Sequence, residues 1–423
     1  MRAIVWLKRD LRVEDNRVFE EAKNYKEIIP VFIFDDQILA DLMSYDKRLV
    51  YIINAIENIG IKVYTFKGKT LEIFKRLLDE LKPDAVITQK AYSWDGEERV
   101  KQVKNLCSLY NVKFIEVFDG LLVNPELIPP KKVFTSFYKD WLKYLDLERT
   151  DVKVKNIPII DLKTFDPKEL ISQLKIDTVY FKPQDCKERL KSFDFKNYEK
   201  TRDYPYLDGT SKLSPCIRFG IISIREIFER SKESESFLRE LAWREFWYHI
   251  KLNFPWTKDL EFQEKRRNIQ WENNQKFIDA FLNASTGYPI IDAGIRQLIQ
   301  EKWIHNRVRM ILGSFLTKDL LVDWRIGEEF FKHHLIDYDQ LVNIGNWQWI
   351  ASVGADPNPL RIFNPILQAK RFDPNCEYIK KYIPELKNLP CHQLHDPLTY
   401  NLPYHKPIVN HYERVSIVKL KYK

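Results

Sequence analysis

The sequence lacks features of secreted and membrane proteins. No apolar run approaches the roughly 18 residues that a membrane-spanning helix needs, and the N-terminal MRAIVWLKRD is typical of a short strand followed by charge, not of a signal peptide. The five cysteines, Cys107, Cys186, Cys216, Cys376 and Cys391, are scattered and form no CxxC pair. This odd number favours reduced thiols over a disulfide framework. We therefore expect a cytoplasmic protein with no membrane association.

Glycine and metal-binding signatures are also scarce. Only 12 of 423 residues are glycine, and no GxGxxG follows the first predicted strand, which excludes the usual dinucleotide fingerprint. The HExxH and zinc-deaminase signatures are absent. His333–His334 and His392/His395 have no third ligand at metal-like spacing. The sequence therefore predicts no metal site.

Charge and aromatic side chains, in contrast, are plentiful. The formal net charge is +8, 30% of the residues are charged, and 14% are aromatic, including 11 tryptophans. A positive balance is compatible with a polyanionic partner but does not require one. The aromatic rings could bury a flat ligand, or they could simply form an aromatic-rich core.

Residues 1–125 alternate predicted strands and helices. The runs AIVWL, IIPVFIF, KVYTF, DAVITQ and VKFIEVF are short, apolar and β-rich, and helical patterns separate several of them. This alternation predicts a Rossmann-like α/β domain with a parallel sheet. Lys8, Arg9 and Asp10 follow the first strand, where ligands of open α/β sheets bind. The alternative is a solvated charged loop.

The remainder of the chain has two parts. Residues 126–190 are rich in proline and charge without clean periodicity, which indicates an interdomain connector. Residues 191–423 are helical in pattern and predict an all-helical domain. We expect no repeats.

The stretch 303–365 carries the most unusual helical face and is expected to form two helices and a following loop. Asn306, Arg309, Met310 and Gly313 fall at helical spacing and share one face. A core face would be aliphatic, so this face suits a flat ligand, with Gly313 allowing close approach to the backbone. Alternatively, Arg309 is a buried arginine that is neutralised by an acid elsewhere in the chain.

Two further segments have side chains suited to a ligand. In the segment 198–220, Ser214 is predicted to be an N-cap followed by proline, which would leave backbone N–H groups for an anion. A plain capped helix is the alternative. Glu240, Trp243 and Arg244 share one face of a second helix, where they suit a polar flat substrate. Alternatively, Glu240 and Arg244 form an ordinary surface pair.

Several long motifs resemble one known family. WIHNRVRM, SFLTKDLLVDWR, NWQW and LRIFNP, in this order, resemble the flavin-binding helical domain of the DNA photolyase/cryptochrome family, and the resemblance extends from the first strand to about residue 410. Within the family, the sequence is most similar to the class I cyclobutane pyrimidine dimer photolyases. The resemblance implies FAD as cofactor and light-driven repair of damaged DNA, in which an electron from excited reduced FAD reaches a flipped-out dimer.

The resemblance also implies roles for individual residues. FAD would be bound by Tyr198, Thr210, Ser211, Lys212, Leu213, Ser214, Arg244, Trp303, Arg309, Asp337, Asp339 and Asn343. The lesion would be bound and processed by Glu240, Trp243, Asn306 and Met310. Electrons would reach the flavin through Trp347, Trp324 and Trp271. Alternatively, these three tryptophans are ordinary core residues.

Individual residues also indicate the substrate class. Relatives that repair (6-4) photoproducts carry two histidines where Asn306 and Met310 stand, so a cyclobutane dimer is expected. Asn343 stands where the flavin N5 is expected and favours repair over signalling. The competing interpretations are a blue-light cryptochrome photoreceptor of the same fold and a flavin-free nucleic-acid-binding protein.

Partners and a second chromophore follow from the same resemblance. Arg202, Arg307 and Arg361 are expected to contact DNA phosphates, with weaker candidates at Lys265, Arg266 and Arg267. An antenna chromophore would lie near Lys8, Arg9, Asp10 and Arg48, with FMN or a deazaflavin slightly preferred over methenyltetrahydrofolate. No obligate protein partner is expected.

Overall fold

The computed structural model describes residues 1–42, 46–172, 174, 179–356 and 360–423. The chain divides into two compact units that are each built from three segments. The first unit consists of Met1–Leu127, Trp141–Phe193 and Ser211–Glu233, and the second of Ile128–Asp140, Asp194–Thr210 and Ser234–Lys423. The limits predicted from sequence, at 125 and 190, instead divide the chain into continuous segments.

The first unit contains the predicted parallel sheet. Its strands lie in the order β3-β2-β1-β4-β5, and every pair is parallel. The elements are β1 (Arg2–Leu7), α1 (Arg17–Ala22), β2 (Glu27–Asp35), α2 (Asp36–Leu42), α3 (Asp46–Glu57), β3 (Tyr64–Gly68), α4 (Thr70–Leu81), β4 (Ala85–Gln89), α5 (Trp94–Leu109) and β5 (Lys113–Val117). The central strands are almost fully buried because parallel sheets are covered on both faces. The predicted α/β class is confirmed.

The rest of the chain is helical. The further helices are α6 (Phe134–Trp141), α7 (Cys186–Ser192), α8 (Tyr198–Thr201), α9 (Ser214–Arg218), α10 (Ile224–Ser231), α11 (Glu235–Asn253), α12 (Gln275–Leu282), α13 (Pro289–Glu301), α14 (Asn306–Ser314), α15 (Trp324–His334), α16 (Gln340–Ile350), α17 (Pro365–Phe372), α18 (Glu377–Tyr382), α19 (Cys391–His395) and α20 (His411–Lys421). A π-helical turn, Phe315–Asp319, continues α14. Within the described ranges, no helix combines the length and hydrophobicity needed to cross a bilayer.

A buried network of ion pairs fixes the carboxyl edge of the sheet in the first unit. Asp119, just beyond β5, accepts from Arg12 Nη2 at 2.6 Å and from Arg225 Nη1 at 3.0 Å. Asp15 accepts from Arg225 Nε at 3.0 Å. All four side chains are buried, so each charge depends on its partners for compensation.

The prediction of reduced cysteines is wrong for four of the five. Cys186 is bonded to Cys216 in the first unit, and Cys376 is bonded to Cys391 in the second, while Cys107 is a free, buried thiol. The partners are separated by 30 and 15 residues and are brought together only by helix packing. Sequence spacing therefore gave no sign of the two bonds.

Candidate functional site

Arg309 on α14 pairs with Asp337, which lies between α15 and α16. Arg309 Nη2 lies 2.8 Å from Asp337 Oδ2, and its Nε donates to the Ile304 carbonyl at 2.9 Å. Asp337 Oδ1 is buried and has no hydrogen-bond partner among the described residues. A buried acceptor without a donor is costly. A ligand with an N–H or O–H group, such as FAD, fits this position.

Asp339 directly precedes α16 and is hydrogen-bonded to Tyr248 on α11. Its Oδ1 accepts from the backbone N–H groups of Leu341 and Val342, so it is the N-cap of the helix. Its Oδ2 accepts from the Tyr248 hydroxyl at 2.6 Å. The guanidinium of Arg244 lies 5.1 Å from the centre of the Tyr248 ring. Tyr248 therefore links two predicted cofactor residues, and its position four residues after Arg244 was the available sequence signal.

Asn343 lies on the next turn of α16, where its amide is held by α15. Its Nδ2 donates to Glu328 Oε1 at 3.0 Å and to the Glu328 carbonyl at 3.1 Å. The Tyr338 hydroxyl donates to the same Glu328 oxygen at 3.0 Å. Burial raises the pKa of Glu328, and the hydrogen bond from Asn343 acts in the opposite direction. Because the amide nitrogen is used by Glu328, the Asn343 carbonyl oxygen is the atom left for a ligand. Sequence reasoning missed Glu328 and Tyr338.

Helix α11 carries Glu240 and Trp243. Glu240 forms an ion pair, but not with Arg244, the partner considered from the sequence. Glu240 Oε1 lies 2.7 Å from Arg202 Nη2, whereas a pair with Arg244 was considered from their spacing. Burial raises the pKa of Glu240, and the charge of Arg202 opposes this shift. Two effects on the Glu240 carboxyl group therefore oppose each other: desolvation favours its neutral form, and the Arg202 cation favours its ionised form.

The face of α14 that carries Asn306 and Met310 is accessible. Asn306 is exposed, Met310 is half-buried, and Asn306 Nδ2 lies 3.8 Å from Met310 Sδ. Gly313 does not face a ligand as expected, because a Cβ placed there would lie 2.7 Å from the Ile350 side chain. Gly313 thus allows α16 to pack closely. The NWQW motif belongs to α16 and not to a loop, so the stretch 303–365 contains three α-helices before α17, instead of two.

The three predicted electron-transfer tryptophans differ in burial. Trp347 and Trp324 are buried, whereas Trp271 is half-buried. Trp347 packs edge-to-face on Phe331 with ring centres 4.9 Å apart, and the Trp324 Nε1 donates to Glu261 at 3.1 Å. Trp271 packs edge-to-face against Tyr422 at 6.2 Å. Trp271 is the most exposed of the three, which suits the solvent end of a path.

The predicted pyrophosphate residues fall in both units. Tyr198 and Thr210 belong to the second unit, and the other four, Ser211 to Ser214, belong to the first. Ser214 is the first residue of α9 and not its N-cap, which is Leu213. The Ser211 hydroxyl instead accepts from the Leu213 N–H at 3.3 Å. The cap prediction is therefore wrong by one residue.

The basic candidates have different environments. Arg307 pairs with Asp203 at 2.7 Å and lies over the Phe372 ring, and Arg202 pairs with Glu240. Arg361 is exposed and lies over the Trp349 ring at 5.0 Å. Among the weaker candidates, Arg266 lies over the Tyr422 ring at 5.2 Å.

Three of the antenna candidates, Lys8, Arg9 and Asp10, directly follow β1, at the predicted edge of the sheet. Lys8 donates from Nζ to the Gln89 carbonyl at 2.8 Å, and burial lowers the pKa of Lys8 to about 7. Asp10 is fully buried, and its Oδ2 has no hydrogen-bond partner among the described residues. Burial raises the pKa of Asp10. Arg48 lies on α3.

One cluster has the composition of a metal site. Ligand atoms of Cys376, Cys391 and His395 lie within 4.8 Å of one another, so folding gives His395 the neighbours that sequence spacing did not indicate. The two sulfur atoms are joined in a disulfide. Since a thiolate is the form that binds metal, the bonded sulfurs are not available as ligands.

Two family models match the chain. The model described as DNA photolyase matches residues 3–157, and the model described as the FAD binding domain of DNA photolyase matches residues 237–423. The second match contains Glu240, Trp243, Asn343 and the pair formed by Arg309 and Asp337.

Relatives match over nearly the whole chain. The deoxyribodipyrimidine photo-lyase of Alkalihalophilus pseudofirmus is 35% identical, with 93% of this chain and 89% of the relative covered. That of Synechococcus is 33% identical, with 99% and 96% covered. The chain belongs to the DNA photolyase family.

Solved structures agree with this assignment. An archaeal photolyase from Sulfolobus tokodaii, described as containing two FAD molecules, has a TM-score of 0.91 and 34% identity, with 100% of this chain and 99% of the other covered. A cryptochrome from Synechocystis has a TM-score of 0.89 at 23% identity, with 99% and 98% covered, and supports the fold alone.

Proposed function

We propose that this protein is a deoxyribodipyrimidine photo-lyase that uses FAD and light to split cyclobutane pyrimidine dimers in DNA. Relatives with this name match over nearly the full chain at 30–35% identity, which supports the activity. When bound, FAD supplies the light absorption and the electron. The protein residues bind and orient the reactants.

The observation that carries the proposal is the set of polar groups around α14 and α16. The unpartnered Asp337 Oδ1 beside Arg309 suits an N–H or O–H donor of the cofactor. The carbonyl oxygen of Asn343, oriented by Glu328, suits a second donor on a flat ring system. We assign these residues, with Arg244, Trp303 and Asp339, to the FAD site.

The lesion would be bound on the accessible side chains of α11 and α14. We assign stacking to Trp243, hydrogen bonding to Glu240 and Asn306, and contact with the bases to Met310. A dimer inside the stack is beyond reach of these groups, so the nucleotide must be flipped out. Arg361 would contact DNA phosphates directly. Arg202 and Arg307 would do so after their ion pairs with Glu240 and Asp203 break. Phosphate contacts carry no sequence preference.

Trp347, Trp324 and Trp271 would supply electrons to oxidised flavin. Trp271, the most exposed of the three, would lie at the solvent end of this path.

We also propose a second chromophore in the first unit, near Lys8, Arg9, Asp10 and Arg48. The buried, unpartnered Asp10 Oδ2 supports a donor-bearing ligand. The structural relative with two FAD molecules favours a flavin over a folate. Mass analysis of chromophores released by denaturation is the test, and recovery of FAD alone from fully loaded protein would contradict an antenna. We also propose a cytoplasmic location and no obligate protein partner.

A blue-light photoreceptor is the second candidate, because a cryptochrome shares the fold. The two functions are distinguished by illuminating the reduced protein with a dimer-containing oligonucleotide. We expect thymine absorbance to be restored in light and not in darkness. Bound FAD with no restoration in light would favour the photoreceptor.

A further inference from the structure

One aromatic contact in the second unit is unusually close and parallel. The rings of Phe134 and Trp243 lie with their centres 3.8 Å apart and their planes inclined by 5°. Phe134 is buried, whereas Trp243 is only partly buried. One face of the Trp243 indole is therefore covered by a phenyl ring that solvent does not reach.

The other rings around Trp243 meet it at steeper angles. Phe246 and Trp349 pack edge-to-face at 85° and 70°, and Trp247 is inclined by 33°. Phe134 is thus the single parallel partner of Trp243 among the described residues. Because Trp243 is only partly buried, part of its indole is open to solvent, where a flat ligand could stack.

Phe134 is itself held in place from several directions. Its backbone N–H donates to Asp356 Oδ1 at 3.0 Å, and the Asp356 N–H donates to the Lys132 carbonyl at 2.7 Å. The ring of Tyr138 lies nearly parallel to Phe134 at 5.7 Å, and Arg239 lies over both rings. The orientation of Phe134 is therefore fixed by the protein and needs no ligand.

We propose that Phe134 is a positioning residue for the lesion, and that it holds the Trp243 indole in the plane on which the pyrimidine dimer stacks. The inference rests on the proposed function, because it takes Trp243 as the stacking residue. A free indole would have to be ordered when the dimer binds, and that cost weakens binding. An indole already fixed by Phe134 avoids this cost.

The test compares Phe134→Leu, which removes the stack, with Phe134→Tyr, which keeps an aromatic ring. Phe137→Leu is the matched control. Phe137 is equally buried on the same helix, and its ring contacts Phe246, His249 and, at 6.5 Å, Phe134 itself. It differs from Phe134 in that it does not stack on Trp243 among the described residues. The measurement is the dissociation constant for dimer-containing and undamaged oligonucleotides in darkness, with FAD content determined for each variant.

We expect Phe134→Leu to weaken binding of the dimer roughly three- to tenfold, the range of an aromatic pair. Binding of undamaged DNA and FAD content should stay at parental values. Phe134→Tyr and Phe137→Leu should bind the dimer as the parent does. In a Trp243→Ala background, Phe134→Leu should cause no further loss, because its effect passes through the indole.

The outcomes separate this inference from the proposed function. If Trp243→Ala weakens dimer binding but Phe134→Leu does not, the role of Phe134 is wrong while the lesion site stands. The proposed role of Phe134 is also wrong if Phe134→Leu weakens dimer binding equally in the parent and in the Trp243→Ala background. Phe134 would then affect binding without acting through the indole. Unchanged dimer binding in Trp243→Ala would instead reject the lesion site. If Phe134→Leu does not fold, Phe134→Met in both backgrounds gives the same comparison.

Discussion

At the scale of single residues, Glu240 has two opposing influences on its proton. Burial favours the neutral acid, and Arg202 at 2.7 Å favours the carboxylate. A neutral carboxyl group can donate a hydrogen bond to a thymine carbonyl, where negative charge grows after electron arrival, but a carboxylate cannot. The pairing with Arg202 thus makes the behaviour of Glu240 depend on pH and on whether the lesion displaces the guanidinium.

We predict that Glu240→Gln retains most dimer binding and splitting, whereas Glu240→Ala loses roughly two- to tenfold in binding, as expected for one hydrogen bond. Glutamine keeps the shape and a donor, and alanine removes both. The exposed Glu229 pairs with Lys232 on the surface, so Glu229→Gln is the control. The measurements are dimer affinity and repair per absorbed photon. Parental values for Glu240→Ala would make Glu240 a structural partner of Arg202 only.

The pH dependence provides a separate prediction. Because the pKa of Glu240 is raised, the neutral donor form is present below that pKa and is lost as pH rises through it. Dimer affinity of the parent should therefore fall as pH rises above the ordinary glutamate range. Glu240→Gln, which does not titrate, should show a flatter profile. Parallel profiles for the two proteins would show that another group is responsible.

Trp347 provides the test of electron supply. Trp347→Phe should block photoreduction of oxidised flavin, because indole is more easily oxidised than phenyl. Repair by chemically reduced protein should persist, since that step runs from flavin to dimer. Trp256→Phe is the control, because Trp256 is exposed and packs on Phe254, outside the predicted path. The formation of reduced flavin absorbance under light is the measurement, and an unchanged rate in Trp347→Phe would mean that electrons enter elsewhere.

At the scale of elements, the sheet edge depends on a helix that is distant in sequence. Arg225 on α10 donates to both Asp15 and Asp119, and its side chain is fully buried. Asp15 lies in the loop between β1 and α1, and Asp119 lies just beyond β5. This network fixes the loop that carries the antenna candidates.

We predict that Arg225→Met lowers the free energy of unfolding of the first unit by about 3–5 kcal/mol, because it removes the buried cation that Asp15 and Asp119 share and leaves Asp119 with Arg12 alone. Arg230→Met, at an exposed position of the same helix, should change stability little. Thermal unfolding followed by circular dichroism is the measurement. Equal melting temperatures for Arg225→Met and the parent would show that the network does not stabilise the unit.

The elements also show which parts of the fold the residue pattern could predict. Five apolar β-rich runs match β1 to β5, because a buried parallel strand has few polar residues. α16 was taken for a loop since its sequence, QLVNIGNWQWI, has no clean polar face: it is packed on several sides. Glu328 was missed because its link to Asn343 spans 15 residues and two helices.

At the scale of the whole molecule, the sequence predicted the fold class but not the covalent links. The FAD-binding roles of Arg309, Asp337 and Asn343 were indicated by a resemblance to a family and stay predictions. The pair of Arg309 with Asp337 is the acid partner that the alternative for Arg309 expected. The aromatic stack behind Trp243 joins residues that are more than 100 positions apart. Such contacts depend on packing and leave no local pattern.

The disulfides give a prediction for the second unit. In the chain-entropy model, a bond that closes a loop of about 15 residues stabilises by roughly 3 kcal/mol. The double variant Cys376→Ser with Cys391→Ser should therefore unfold about 5–10 °C lower. A thiol reductant should shift the parent in the same direction and leave this transition of the variant unchanged. Five titratable thiols in denatured, unreduced parent would contradict both bonds.

The central claim is that one molecule binds FAD and uses its light absorption to repair a pyrimidine dimer. The most direct measurement is an action spectrum: the initial rate of thymine restoration per incident photon, recorded at several wavelengths with reduced protein and a dimer-containing oligonucleotide. We expect the rate to follow the absorption of the bound chromophores and to be zero in darkness. Protein that retains reduced FAD and binds the dimer but restores no thymine at any wavelength would contradict it.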